Sequence, residues 1–304
     1  MKRSRQSLAL GLAALETNTP RVVRTNADPV EFPRRYKRRD DVEVAALVSA
    51  ALAYGRADIF RQKVAWLLER LGPHPGETVA RLDARAVAPL VRGFVYRFNV
   101  ATDVAVLLLG AGRMLRENGT IEAPLANALA GGASLHAALS LWLGQLRDVP
   151  MALLRKLLGP ERGLHHLLPS PLGPGAAKRW NMLLRWLVRG PDGVDLGIWR
   201  CVKPAQLMIP LDTHVHRLAR RIGLTRRTDA SWRTAEEVTA KLAQCAPEDP
   251  VQYDFALCHH GMSGACGAKL KRSDCQRCPL RGACRTGRLM LTARQSTLAR
   301  TAAP

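Results

Sequence analysis

Four of the seven cysteines in this 304-residue chain crowd into one short segment, at Cys266, Cys275, Cys278 and Cys284. An odd total, with Cys201, Cys245 and Cys258 scattered elsewhere, suits a metal site better than a disulfide framework. The spacing is C-x8-C-x2-C-x5-C, with Pro279 directly after the third cysteine. Four thiolates on one loop-rich segment can surround a 4Fe-4S cube, which takes one ligand per iron. Tetrahedral zinc also takes four, but its sites more often show two paired knuckles, whereas here one C-x2-C is flanked by two single cysteines. Spacing therefore favours the cluster and keeps zinc as the alternative. Lys269, Lys271 and Arg272 lie between the first two cysteines, so a bound metal would hold a cationic loop in position, and phosphate is the natural counterpart.

The chain carries a formal charge of +21, far more than solubility requires, and the charge is spread along the sequence rather than confined to a tail. A field of that sign attracts polyanions, with nucleic acid as the leading partner and acidic lipid as the other. No apolar run reaches the roughly 18 residues that a membrane-crossing helix needs, which excludes that class of protein. Met1 to Leu15 has a basic tip and a short apolar stretch with no small-residue cleavage site after it. This reads as an amphipathic helix of a cytoplasmic, nucleoid-associated protein.

Along the chain, Val44, Leu47, Val48, Ala51 and Leu52 recur at helical spacing from Asp41 onward, and Ile59, Val64, Leu67 and Leu68 continue it after Gly55. Further helical stretches cover Val104 to Leu115, Leu135 to Leu146, Met151 to Leu158 and Arg179 to Val188, with Gly-Pro pairs at the breaks. Alternating β-branched runs are scarce. The expected fold is all-α, with a basic N-terminal extension over 1–40, a helical core over 41–258, a cysteine loop over 259–285 and a loosely ordered tail over 286–304. Arg34 to Arg39 reads as an arm or loop rather than core, touching phosphate or water. Trp180 and Trp186 are expected to pack in the core, and Tyr54 and Tyr96 to cover its edges.

Leu211 to Leu224, LDTHVHRLARRIGL, places Val215, Leu218, Ala219 and Ile222 on one helical face. Asp212 is the expected N-cap and Gly223 the stop. Capping alone accounts for an aspartate here. The same position lies at the positive end of the helix dipole, where a carboxylate can serve as electrostatic stabiliser or base. Upstream, Gly173-Pro174-Gly175 precedes a helix whose first turn carries Lys178 and Arg179. Backbone amides at such a start can hold phosphate, although an ordinary interhelical loop has the same composition. Asp254, in Tyr253-Asp254-Phe255, is the second candidate carboxylate. His165-His166 and His259-His260 show no metal-site pattern.

These residues together resemble the helix-hairpin-helix superfamily that includes endonuclease III and the adenine glycosylases acting on DNA. The likeness rests on LDTHVHRLARRIGL, on His260-Gly261 leading into the four cysteines, and on Leu47 to Ala51 with Ala53, which is similar to the family's early DNA-facing helix. Within it, DPVEFPRRY, AALAYGR, KRWNMLLRWLVR, VDLGIW, IPLDTHVHR and DPVQYDFAL resemble a bacterial branch catalogued as a domain of unknown function, over about Asp28 to Gly261.

The resemblance implies a helix-hairpin-helix bundle with a C-terminal iron–sulfur loop, acting on double-stranded DNA with a flipped base, as a monomer. It implies that Asp212 is the catalytic aspartate stabilising an oxocarbenium-like sugar, and that Lys178 lies within about one residue of the family's lyase lysine. Gly173, Gly175 and Arg179, with Lys269, Lys271 and Arg272, become the expected DNA contacts. A base-removing N-glycosylase, with or without lyase activity, is the activity implied. A non-catalytic binder of DNA or structured RNA is the alternative. The sequence departs from the family at Leu172-Gly173-Pro174-Gly175, where Leu-Pro-Gly-Val-Gly is usual. It also has Ala51 in place of a glutamine that enters DNA, an insert containing Val194 to Trp199, and a first cysteine loop two residues longer than usual.

Overall fold

A computed structural model of the chain describes residues 2–19, 25–26 and 28–292, and it is predominantly helical. The chain divides into two compact units, Val22–Lys203 and Met1–Arg21 with Pro204–Pro304. The boundary after Lys203 falls inside the stretch expected as one core. The first helix, α1 (Lys2–Thr17), belongs with the C-terminal residues rather than forming an extension.

In the Val22–Lys203 unit, two short 3-10 turns lead into α2 (Arg39–Leu52). Apolar or small residues occupy nearly every position of α2 from Val42, and all of Asp41 to Leu52 are buried, as suits a helix packed on every side. In the run Arg34 to Arg39 all but the half-buried Tyr36 are exposed, and several of its cations have partners within the fold. Val30, Phe32 and Pro33 are buried beside it. Arg34 donates to the Val194 carbonyl at 3.1 Å, Arg38 pairs with Asp40, and Arg39 pairs with Glu43 and Glu122.

After α3 (Ala57–Leu71), α4 (Pro75–Ala80) and α5 (Ala84–Val91), the chain forms a two-residue hairpin. Its strands, β1 (Val95–Tyr96) and β2 (Asn99–Val100), pair antiparallel with Val95 opposite Val100. The second central helix, α6 (Ala101–Asn118), is apolar along almost its whole length. Helices α7 (Ala123–Ala130) and α8 (Leu135–Arg147) pack together, and α8 also lies on α6. A Cβ on Gly110 would stand 1.9 Å from the Leu146 carbonyl oxygen, so only glycine allows α6 and α8 to approach this closely. Helices α9 (Met151–Leu158), α10 (Leu164–Leu167) and α11 (Lys178–Val188) complete the unit, and α11 packs against α2.

Trp142, Trp180 and Trp199 meet edge to face in this core, with ring centroids 5.9 and 6.3 Å apart. Each indole N–H reaches an acceptor: the Ile121 carbonyl at 2.9 Å, the Pro169 carbonyl at 2.9 Å and Glu43 Oε1 at 2.8 Å, as buried tryptophans require. The insert after α11 is part of the same packing. Asp195 is buried between Arg185 and Arg189, and the Leu196 and Trp199 amides donate to the carbonyls of Trp186 and Leu187, both at 2.7 Å.

The other unit holds α12 (Thr213–Ile222), α13 (Trp232–Ala243), α14 (Asp254–Met262), α15 (Arg272–Arg277) and α16 (Arg285–Thr292). The apolar face of α12 lies on α14 and α16, and α1 lies on the turn Pro279–Gly282. A Cβ on Gly261 would stand 2.8 Å from His214 Cβ, so this glycine sets the close crossing of α14 and α12. Where a loose tail was expected from 286, α16 continues to Thr292 with Met290 and Leu291 half-buried. The rest of that tail, 293–304, lies outside the described residues.

Candidate functional site

Asp212 caps α12 from an extended backbone. Its Oδ1 accepts from the Val215 amide at 2.7 Å, and its Oδ2 accepts from the Cys258 thiol at 3.5 Å. The first contact is the capping role read from the sequence. The second is a weak donor, so the outer oxygen carries little of the fold. Asp254 is instead buried at the start of α14, with 3% exposure.

At the opposite end of α12 the four cysteines come together. Cys266, Cys275, Cys278 and Cys284 line one hollow of about 20 Å³, closed by Leu218, Ile222 and Leu280 among others. Nitrogen and sulfur meet repeatedly around it: Arg221 Nη1 donates to Cys266 Sγ at 3.1 Å and the Gly287 amide to Cys284 Sγ at 3.2 Å, while His260 Nε2 lies 3.6 Å from Cys278 Sγ. Donors directed at sulfur stabilise thiolates and metal-bound sulfur. Burial, reinforced by the neighbouring thiols, raises Cys275 and pushes Cys278 up to about 11. Cys275 and Cys278 therefore resist ionising unless positive charge arrives beside them. Among the described residues, no three His, Cys, Asp or Glu side chains form a group that could hold a single metal ion.

The segment bearing the first cysteine is anchored by α12. Arg221 donates to the carbonyls of Cys266, Gly267 and Ala268 at 3.1, 2.7 and 3.1 Å, and Arg217 reaches Cys266 O at 3.2 Å and Gly261 O at 3.3 Å. Lys269 and Lys271 are exposed. Arg272, expected as a third free cation, donates to the carbonyls of Met290 and Leu291 at 3.0 and 2.8 Å and so closes the end of α16.

In the Val22–Lys203 unit, Lys178 is half-buried at the first turn of α11 and makes no hydrogen bond or ion pair with the described residues. A turn closed at Gly173 precedes it. Gly173 donates to Ser170 O at 3.0 Å, and Gly175 has open space about it. It is Ala177, with φ 49°, that takes the left-handed conformation before the helix. Arg179 is only 8% exposed: it donates to the carbonyls of Ala51 and His166, and its guanidinium stands 5.2 Å from the Tyr54 ring centre. Burial lowers its pKa to about 10. As placed, it ties α11 to α2 and α10.

Around Arg179 lies a cluster that the sequence reading did not assemble. Tyr54 meets Tyr96 at 4.7 Å and His166 at 4.5 Å, and Phe98 meets His166 at 5.1 Å. Phe98 is 55% exposed at the hairpin tip, next to Arg97, whose φ of 52° is left-handed. The buried carboxylate of Asp103 holds the parts together, accepting from the amides of Val100 and Gly163, both at 2.9 Å. Asn99 bridges to Gly163 O at 2.8 Å. Phe98 and His166 are far apart in sequence and no spacing rule links them. The one local signal was an arginine–phenylalanine pair in a stretch too short to read as a hairpin.

Residues 28–263 match the family described as a protein of unknown function, DUF2400. The chain belongs to that family. No curated protein and no solved structure matches it. The DUF2400 match begins at Asp28, the cap of the first 3-10 turn, and ends before the first of the four clustered cysteines. It therefore covers the Asp212 helix and the arginine-bound insert, while the cysteine loop lies beyond it. In this DUF2400 chain, then, the loop is anchored by family residues, Arg217 and Arg221, without itself being matched.

Proposed function

We propose that this chain binds DNA and removes a base by N-glycosidic cleavage, with Asp212 as its central carboxylate and the four cysteines as ligands of a structural 4Fe-4S cluster. One observation carries the reading: α12 bears Asp212 at its first turn and one wall of the four-thiol hollow at its last, so one short helix joins the candidate carboxylate to the candidate metal site. The charge of +21 supplies the attraction for the polyanion.

In this reading Asp212 works through its outer oxygen. The Val215 amide fixes Oδ1, and Oδ2 is available to stabilise positive charge on a sugar as its bond to the base breaks, or to orient the attacking water. Lys178, whose side chain has no partner among the described residues, would support a lyase variant in which its deprotonated amine attacks the sugar carbon that carries the base, the base leaving with the electron pair of the broken bond and taking up the proton the amine gives up. Cys266, Cys275, Cys278 and Cys284 would hold the cluster. Its contribution is structural, keeping Lys269 and Lys271 presented to phosphate, and the sulfur-directed donors suit it.

Four cysteine ligands also suit tetrahedral zinc, which is the second reading of the metal. Iron and zinc analysis, with absorbance near 400 nm, decides between them.

The test of the activity is cleavage of a panel of lesion-containing duplexes, with alkali treatment to reveal abasic sites, by wild type and Asp212→Asn. Asparagine is as good an N-cap as aspartate, so the variant keeps the helix. Cleavage by wild type alone supports the glycosylase. If neither protein cleaves while both bind duplex with salt-sensitive affinity, the protein is a non-catalytic DNA binder, in which Asp212 serves only as the cap it is seen to be.

A further inference from the structure

Beyond the thiols and Asp212, the outer face of α12 forms an open groove of about 560 Å³ with the segment that follows the helix. Four arginines line it, Arg217, Arg220, Arg221 and Arg226, together with threonines including Thr213 and Thr228, and no acidic residue does. The partners of the two inner arginines are almost all neutral. Arg217 is held by carbonyls and by His214 Nδ1 at 3.1 Å, and Arg221 by carbonyls and the Cys266 sulfur. Arg220 and Arg226 are exposed and form no hydrogen bond or ion pair with any described residue. Acids in neighbouring positions of the chain are engaged elsewhere: Asp212 with the Val215 amide at 2.7 Å, Glu237 with the Thr225 hydroxyl at 2.9 Å, and Asp229 with Arg227 at 3.0 Å.

Guanidinium groups concentrated in one groove repel each other unless counter-charge is supplied. Among the described residues, no carboxylate pairs with any of the four. Two of them are pre-ordered by backbone carbonyls, so little side-chain entropy remains to be lost when an anion arrives. Hydroxyls beside them add neutral donors of the kind that contact phosphate oxygens. An open groove with spaced cations suits a run of phosphates along a strand better than one enclosed anion.

We propose that this groove is a binding track for the sugar–phosphate backbone of DNA, used in addition to the cysteine loop and independent of whether Asp212 is catalytic. The inference rests on the DNA-binding part of the proposed function. Arg220 and Arg226 make the phosphate contacts, and Arg217 and Arg221 form the ordered floor.

The experiment measures duplex affinity against salt concentration for four full-length proteins: wild type, Arg220→Ala/Arg226→Ala, Arg220→Lys/Arg226→Lys, and Lys269→Ala/Lys271→Ala. Removal of two phosphate contacts should flatten the slope of log K against log salt by about 2 in the first double variant, while the lysine version should stay near wild type. Loss of a similar slope in the loop variant alone, with the alanine groove variant unchanged, would overturn the groove proposal and leave DNA binding standing. Failure of wild type to bind duplex at all would overturn both. Thermal melting of each variant shows whether a lost slope reflects lost fold. Should the alanine pair melt early, the charge-reversed but equally exposed Arg220→Glu protein takes its place, with a flattened slope again expected and an unchanged one overturning the proposal.

Discussion

Arg221 joins two sites with one side chain. Its Nη1 stands 3.1 Å from the sulfur of Cys266, and its guanidinium also lines the cationic groove along α12. Four contacts to Cys266, Gly267 and Ala268 make it the main clamp on the first cysteine. Arg221→Ala should therefore purify with less metal per chain than wild type. Arg221→Lys should be intermediate, because an ammonium cannot reproduce the fork of donors. Metal analysis alongside thermal melting checks this, and equal metal content in all three proteins would show that the clamp is dispensable.

The seven cysteines should separate cleanly into two classes. Replacing Cys275 or Cys284 by serine should abolish stoichiometric metal and its absorbance, since each is buried against the shared hollow. Replacing Cys201 or Cys245 should leave metal content unchanged. Loss of metal from either of the latter variants would count against the assignment of the four ligands.

Asp195 is the buried counter-ion of two arginines. Burial raises its pKa while Arg185 and Arg189 oppose that rise. Asp195→Ala removes the fully buried carboxylate from Arg185 and Arg189, of which Arg189 keeps Asp192 at 3.2 Å, and a loss of about 3–5 kcal/mol is expected. Trp199→Phe should cost about 1–3 kcal/mol, because it removes the indole donor to Glu43 Oε1 from a buried carboxylate. Urea unfolding measures both, and a change below about 0.5 kcal/mol for Asp195→Ala would show that the buried ion pairs of the insert do not stabilise the fold.

His166 should titrate below the ordinary histidine value of 6.5, because partial burial and then the charges of Arg179 and Arg97 disfavour its imidazolium form. The folded state then binds fewer protons than the unfolded state as pH falls below 6.5. Stability contributed above that pH is accordingly lost on acidification, down through the lowered folded pKa. NMR titration of the ring protons reads the pKa directly, and His166→Asn should remove this part of the acid slope. A ring pKa at or above 6.5 would contradict the placement of His166 beside the two arginines.

Much of the architecture was legible in the chain itself. Apolar residues at helical spacing mark α2, α6, α8 and α11 because a helix that must bury a face repeats every three or four residues, and nothing outside the helix is needed to see it. Asp212 as cap, Gly223 as stop and the two buried tryptophans of α11 follow from equally local rules. The membership of the four cysteines in one group followed from their spacing alone.

Other features depend on which backbone passes nearby. Arg179 and Arg272 read as free cations, yet carbonyls of Ala51, His166, Met290 and Leu291 take up their donors. Those acceptors come from other elements of the fold, so no sequence rule could place them. The meeting of Phe98 with His166, the holding of both segments by Asp103, and the gathering of Arg217, Arg220, Arg221 and Arg226 with the residues after α12 are likewise tertiary. Sequence by itself determined the main helices, the cap of α12 and the grouping of the four cysteines, because those depend on neighbours within a few residues. Only the tertiary structure decided which charges stay free for a partner, because a charge is neutralised by whatever the folded chain brings within hydrogen-bond reach.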